Sequence, residues 1–167
     1  MNDGLGKKAE GRIQEWLDRP DLGYCFDRIP DQMNGFIGSS NICDFTCFKS
    51  PYMYYIESKA TYEDRFDFIN ITEKQHKGLL QKSEIPFVYG LVTVLFQTHR
   101  RCFILDIRHI DQLEKRGIKS LNIKKIDRWD IPFVEIQTIP NNRKILLNYT
   151  GDIEVPERRW NHENIFQ

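Results

Sequence analysis

The chain has 167 residues, enough for one domain with a substantial core, and 40% hydrophobic with 29% charged residues is the balance of a globular protein. Its 24 basic side chains are cancelled by 24 acidic ones, so no overall positive charge attracts nucleic acid, and any such surface must be a local concentration of cations. The longest apolar run, FVYGLVTVLF at 87–96, is far short of the roughly 20 residues that cross a bilayer, which argues against a membrane-spanning helix.

GLGKKAEGRIQEWLDRP predicts an amphipathic helix that ends before Pro20. At about 100° per residue, Leu5, Ala9, Ile13 and Trp16 form one apolar stripe, with Glu10 at its margin and Glu15 toward solvent. YCFDRIP reads as a short strand, and DQMNGFIGSSN as a loop rich in turn formers. ICDFTCF and MYYIESK are two strands around a turn at KSPY. A helix is expected from Ile71 to Lys82, a buried strand at 87–96, another at RCFILDI, and a helix near Ile110 to Lys115. The tail adds strand-like pieces, PFVEIQTI and KILLNY. This order predicts an α/β fold, a central mixed sheet flanked by helices, in a single domain over 1–167.

No charged N-terminal segment precedes an apolar run, so no secretion signal is expected and the protein is placed in the cytoplasm. Cys25, Cys43, Cys47 and Cys102 make no C-x-x-C pair. Cys43 and Cys47 fall on the inward face of a predicted strand, with Phe45 between them, and are expected to be buried free thiols. The histidines are scattered without the spacing of zinc ligands. There is no phosphate-cradling loop of the ATPase kind.

The chemistry concentrates at the two central strands. Side chains at i and i+2 of a strand share a face, so Glu57 and Lys59 project together. A turn centred between Ser50 and Pro51 pairs Phe48 with Met53, Thr46 with Tyr55, and Asp44 with Glu57. Directly opposed carboxylates repel unless something offsets them. A hard divalent cation does so, because it takes carboxylate oxygens. In the following helix Gln75 interrupts the stripe of Ile71 and Leu79, either as a core amide satisfied by backbone or as part of the same centre. Glu10 is either an exposed helix carboxylate or a group reaching the same sheet end.

G-x-x-x-E at 6–10, Asp44, Glu57-Ser58-Lys59 and Gln75-His76, in that order, resemble the PD-(D/E)xK nuclease superfamily, and within it the Holliday junction resolvases of the RecU type. The resemblance covers about residues 4–107. It implies a restriction-endonuclease-like core and a catalytic set of Glu10, Asp44, Glu57, Lys59 and Gln75. Asp44, Glu57 and Glu10 would hold Mg²⁺, or Mn²⁺, for hydrolysis of phosphodiester bonds in four-way or otherwise branched DNA by a homodimer. Cys43 stands where the superfamily motif has proline. DQMNGFIGSSNI is also shorter than the excursion that enters the branch point in RecU-type resolvases, so the resemblance implies metal-dependent cleavage more directly than junction choice. Candidate DNA contacts are Lys7 and Lys8, Arg100 and Arg101, and the cluster Lys115, Arg116, Lys119, Lys124 and Lys125. Other readings are a restriction-like or replication- and repair-associated nuclease, or a DNA-binding or assembly protein of the same fold without catalysis.

Overall fold

The computed structural model describes residues 3–30, 41–126, 133–140 and 147–155. Along the chain these form α1 (Asp3–Leu17), β1 (Cys25–Arg28), β2 (Phe45–Lys49), β3 (Tyr52–Thr61) and β4 (Arg65–Asp67). Then come α2 (Glu73–Ser83), β5 (Val88–Phe96), β6 (Arg101–Asp106), α3 (Ile107–Lys115), β7 (Ser120–Asn122), β8 (Phe133–Glu135), β9 (Thr138–Pro140) and β10 (Leu147–Tyr149).

Six strands make one sheet in the order β1-β2-β3-β5-β6-β8. Every neighbouring pair is antiparallel except β3 and β5, which run parallel. A parallel pair needs a crossover, and α2 supplies it. The expected mixed sheet flanked by helices is therefore present.

Period-two alternation feeds two cores. On β6, Phe103 and Leu105 enter the core under α2 and α3, with Leu79, Ile110 and Leu113. Cys102 and Ile104 point the other way, into the core under α1, where Ala9, Ile13 and Trp16 of the expected stripe are joined by Leu17. α2 sits tightly on the sheet because glycine permits it. A Cβ on Gly90 would come within 2.7 Å of the Leu79 carbonyl oxygen and 2.9 Å of Ser83 Oγ. One on Gly78 would collide with the side chain of Ile42.

Several boundaries differ from those expected, each for a local reason. α2 starts at Glu73 rather than Ile71 because Thr72 caps it. α3 starts at Ile107 because the Asp106 carboxylate accepts from Arg108 N at 2.9 Å, so strand passes into helix with no polar loop between them. PFVEIQTI divides into β8 and β9, and a small β4–β7 pair lies beyond the main sheet. Cys43 and Cys47 are buried free thiols, both pushed up to about 12 chiefly by burial. They occupy different cores, however, Cys43 under α2 and Cys47 under α1. The chain bends at Asp44, just before β2, and turns Cys43 to the opposite side. Residues 31–40 of the loop before Asp44 lie outside the described residues.

Candidate active site

The hairpin pairs Phe48 with Met53, Thr46 with Tyr55, and Phe45 with Ile56. This is the register expected from a turn at Ser50-Pro51, but the ladder ends at Phe45–Ile56, one step before the expected pair of Asp44 with Glu57. Asp44 N donates to Ile56 O at 3.0 Å, and Asp44 O accepts from Ile29 N at 2.8 Å. At the bend the backbone leaves the ladder, and the side chain takes over. Asp44 Oδ2 accepts from Ser58 N at 2.7 Å. The carboxylate is thereby fixed against β3, beside Glu57.

Glu57 is 3% exposed and points from β3 toward α2. Its Oε1 accepts from Gln75 Nε2 at 2.6 Å and lies 2.9 Å from Lys59 Nζ. Lys59 Nζ also donates to Gln75 Oε1 at 3.2 Å, closing a triangle of carboxylate, ammonium and amide. Glu57 Oε2, by contrast, is buried with no hydrogen-bond partner among the described residues. Burial and then the charge of Asp44 raise the Glu57 carboxyl to about 7, against the opposing pull of Lys59 and Gln75.

The orientation of Gln75 is set from outside the triangle. Thr72 N donates to Gln75 Oε1 at 3.0 Å, and Thr72 Oγ1 accepts from Gln75 N at 3.2 Å, a capping box at the start of α2. With two donors on Oε1, from Thr72 and Lys59, the amide must turn its NH₂ to Glu57. The same side chain thus caps the helix and completes the site. T-x-x-Q at 72–75 is the sequence signature of this arrangement and was readable as such. Gly78 and Gly90, which let α2 approach, and Arg28 carry no comparable local signal.

Glu10 reaches the same end of the sheet, since its partner Arg28 pairs with Phe45. Glu10 Oε2, however, is bound by Arg28 NH2 at 2.6 Å. Among the described residues no three His, Cys, Asp or Glu side chains gather into a ligand group. The structure therefore brings Asp44, Glu57, Lys59 and Gln75 together, and leaves Glu10 in an ion pair with Arg28. Two facing carboxylates, one with an orphaned buried oxygen, fit a hard divalent cation. Among the described residues no hydrogen bond satisfies that oxygen.

The cationic candidates divide. Lys7, Lys8, Arg100, Lys119 and Lys125 are exposed. Arg101 is engaged across the β6–β8 edge, with Nε and NH2 each 2.8 Å from Glu135 and its guanidinium over the Phe103 ring. Lys115 pairs with Asp111 at 2.7 Å, and Lys124 pairs with Asp64, which also meets His99 at 2.6 Å. Arg116 ends α3 and is exposed. No described helix is long and apolar enough to cross a membrane.

A protein-family model described as recombination protein U matches residues 28–154. Among solved structures, the chain is similar to Hjc of Archaeoglobus fulgidus, described as a Holliday junction resolvase from an archaeal hyperthermophile. The TM-score is 0.46 at 13% identity, over 62% of this chain and 78% of that one. No curated protein matches.

Proposed function

This chain belongs to the recombination protein U family, and from that premise we propose that it is a metal-dependent endonuclease that resolves Holliday junctions. The observation that carries the chemistry is Glu57. One of its oxygens is held by Lys59 and Gln75, while the other is buried, unpartnered and beside Asp44.

Asp44 and Glu57 would hold the divalent cation, with magnesium the ion proposed and manganese a substitute. When bound, it supplies Lewis-acid charge against the scissile phosphate and acidifies a water. Lys59 orients the attacking water and offsets charge developing on the phosphate oxygens. Gln75 holds Glu57 in place and presents an amide to water or phosphate. Glu10, released from Arg28, would add a third carboxylate directly or through water. Lys119, Lys125 and Arg116 form an exposed cationic surface suited to backbone phosphates, with Lys7, Lys8 and Arg100 as further contacts. The working unit is a homodimer in the cytoplasm, because two strands of a junction must be nicked symmetrically.

The test is cleavage of a labelled four-way junction and of linear duplex with the same arms, with Mg²⁺ and with chelator. Nicking of the junction in preference to duplex, abolished by chelator, is expected. Equal cleavage of both substrates would favour a general DNA nuclease, and no cleavage of either would leave a DNA-binding protein without catalysis.

A further inference from the structure

On the face of the sheet opposite Glu57, a cavity of about 310 Å³ opens between α1 and the β9–β10 hairpin, lined by Arg12, Glu15, Trp16, Arg19, Tyr149 and Thr150. Arg12 is only 7% exposed, and its Nε is buried without a hydrogen-bond partner among the described residues. The hydroxyl of Tyr149, 3% exposed, is buried against the Arg12 guanidinium and the Cys102 thiol, both of which interact with it. A buried guanidinium N–H without an acceptor among the described residues thus borders the cavity, with a phenol hydroxyl beside it.

The other polar groups are already committed or peripheral. Arg19 is neutralised by Asp21, with contacts of 3.1 and 2.6 Å, and its NH1 leans on Tyr149 O at 3.4 Å. Trp16 Nε1 donates to Gly151 O at 2.9 Å, and the Thr150 hydroxyl to Gln137 O at 3.3 Å. Glu15 is exposed. Burial holds the Tyr149 phenol well above its ordinary titration range, so it is a neutral O–H donor. A guanidinium withdrawn from water is stabilised by an anion whose oxygens match its planar fork. Among the described residues no buried carboxylate is recorded in that part for Arg12.

We propose that this cavity binds a phosphate-type oxyanion, held by the Arg12 guanidinium and the Tyr149 hydroxyl. The anion is either free phosphate or a phosphate at the end of a nucleic-acid strand. It is separate from the scissile phosphate, which belongs on the α2 side of the sheet.

Calorimetry with inorganic phosphate, in buffers matched for ionic strength with chloride, tests this directly. One phosphate per chain is expected, together with a rise in melting temperature. Arg12→Met should lose at least about ten-fold in affinity while melting, without phosphate, no lower than the parent, since an apolar replacement relieves a buried charge. Tyr149→Phe should weaken binding by several-fold through loss of one donor. Glu15→Gln should tighten it. Competition between inorganic phosphate and a 5′-phosphorylated oligonucleotide, but not its 5′-hydroxyl counterpart, would assign the site to nucleic acid; binding of inorganic phosphate alone would assign it to the free anion. No phosphate binding by the parent overturns the proposal. So does unchanged affinity in Arg12→Met, or binding that appears only in Glu15→Gln, which would make Glu15 the resident partner of Arg12.

Discussion

The Asp44 carboxylate accepts the backbone N–H of Ser58 at 2.7 Å and so replaces the strand backbone that ends at the same point. Charge and hydrogen bonding at Asp44 can therefore be separated. Asp44→Asn keeps an acceptor for Ser58 N and loses the charge; it should retain stability and lose nearly all metal-dependent nicking. Asp44→Ala loses both, and the unpaired N–H should cost about 1–3 kcal/mol in urea denaturation. Identical stability of the two variants would show that the side chain does not support β3.

Glu57 makes stability depend on pH in a definite direction. Its carboxyl is raised from 4.5 to about 7 in the folded protein. The folded state therefore retains a proton that the unfolded state releases, and stability falls as pH rises from about 4.5 to 7. The full effect is on the order of 3 kcal/mol. In chelator, the parent should melt at lower temperature at pH 7.5 than at pH 5, and Glu57→Gln should flatten that difference. Added Mg²⁺ should restore the parent at pH 7.5, because the cation favours the ionised carboxylate. A parent whose melting temperature rises across this interval while Glu57→Gln follows it would remove Glu57 as the cause.

Thr72 offers a test of how Gln75 is oriented. Thr72→Ala removes the hydroxyl cap and keeps the N–H that holds Gln75 Oε1; it should cost about 1 kcal/mol of stability with little change in kcat. Thr72→Pro removes that N–H as well. The backbone tolerates it, since φ at Thr72 is −62° and Ile71 is extended. Nicking should then fall about ten-fold further, roughly 1.4 kcal/mol in the barrier. Equal kcat in the two variants would mean that the backbone N–H has no part in positioning the amide.

At Gly90, the methyl of an alanine would meet the Leu79 carbonyl oxygen and Ser83 Oγ. Gly90→Ala should lift α2 from β5 and cost about 1–3 kcal/mol. Gln75 would retreat from Glu57, so cleavage should fall more than stability alone explains, measured at a temperature where the variant is fully folded. Full activity there would show that the helix seats elsewhere without loss.

Reversal of Lys119 and Lys125 to glutamate should weaken DNA binding and flatten its dependence on salt, while metal affinity stays unchanged. Lys124→Glu is the informative comparison. Its ammonium already pairs with Asp64, so its loss should also disturb the turn at His99. Binding that is indifferent to all three changes would make this cluster ordinary surface.

Much of the centre was legible because local rules govern it. The position of Ser50-Pro51 sets the hairpin register as far as Phe45 and Ile56, and the hydrogen bond from Ser58 N then brings the Asp44 carboxylate to β3. Helical spacing left Gln75 open between a core amide and a part of the centre, and the T-x-x-Q cap shows that its helix begins two residues later than apolar periodicity suggests. What escaped depends on three-dimensional encounters. Alternation puts Cys43 on the side of Cys47, but the bend at Asp44 overrides it. Glu10 and Arg28 are far apart in sequence, and nothing in either segment announces their ion pair. Arg101 and Lys115 read as free cations until the strand edge and the helix turn supply Glu135 and Asp111.

Because one glutamine amide closes the first turn of α2 and also seats Glu57, fraying of that turn and disassembly of the centre are a single event. Such local opening needs less free energy than global unfolding. The fraction of competent molecules is thus governed by a few residues around Thr72, and heat inactivation should set in before the core melts.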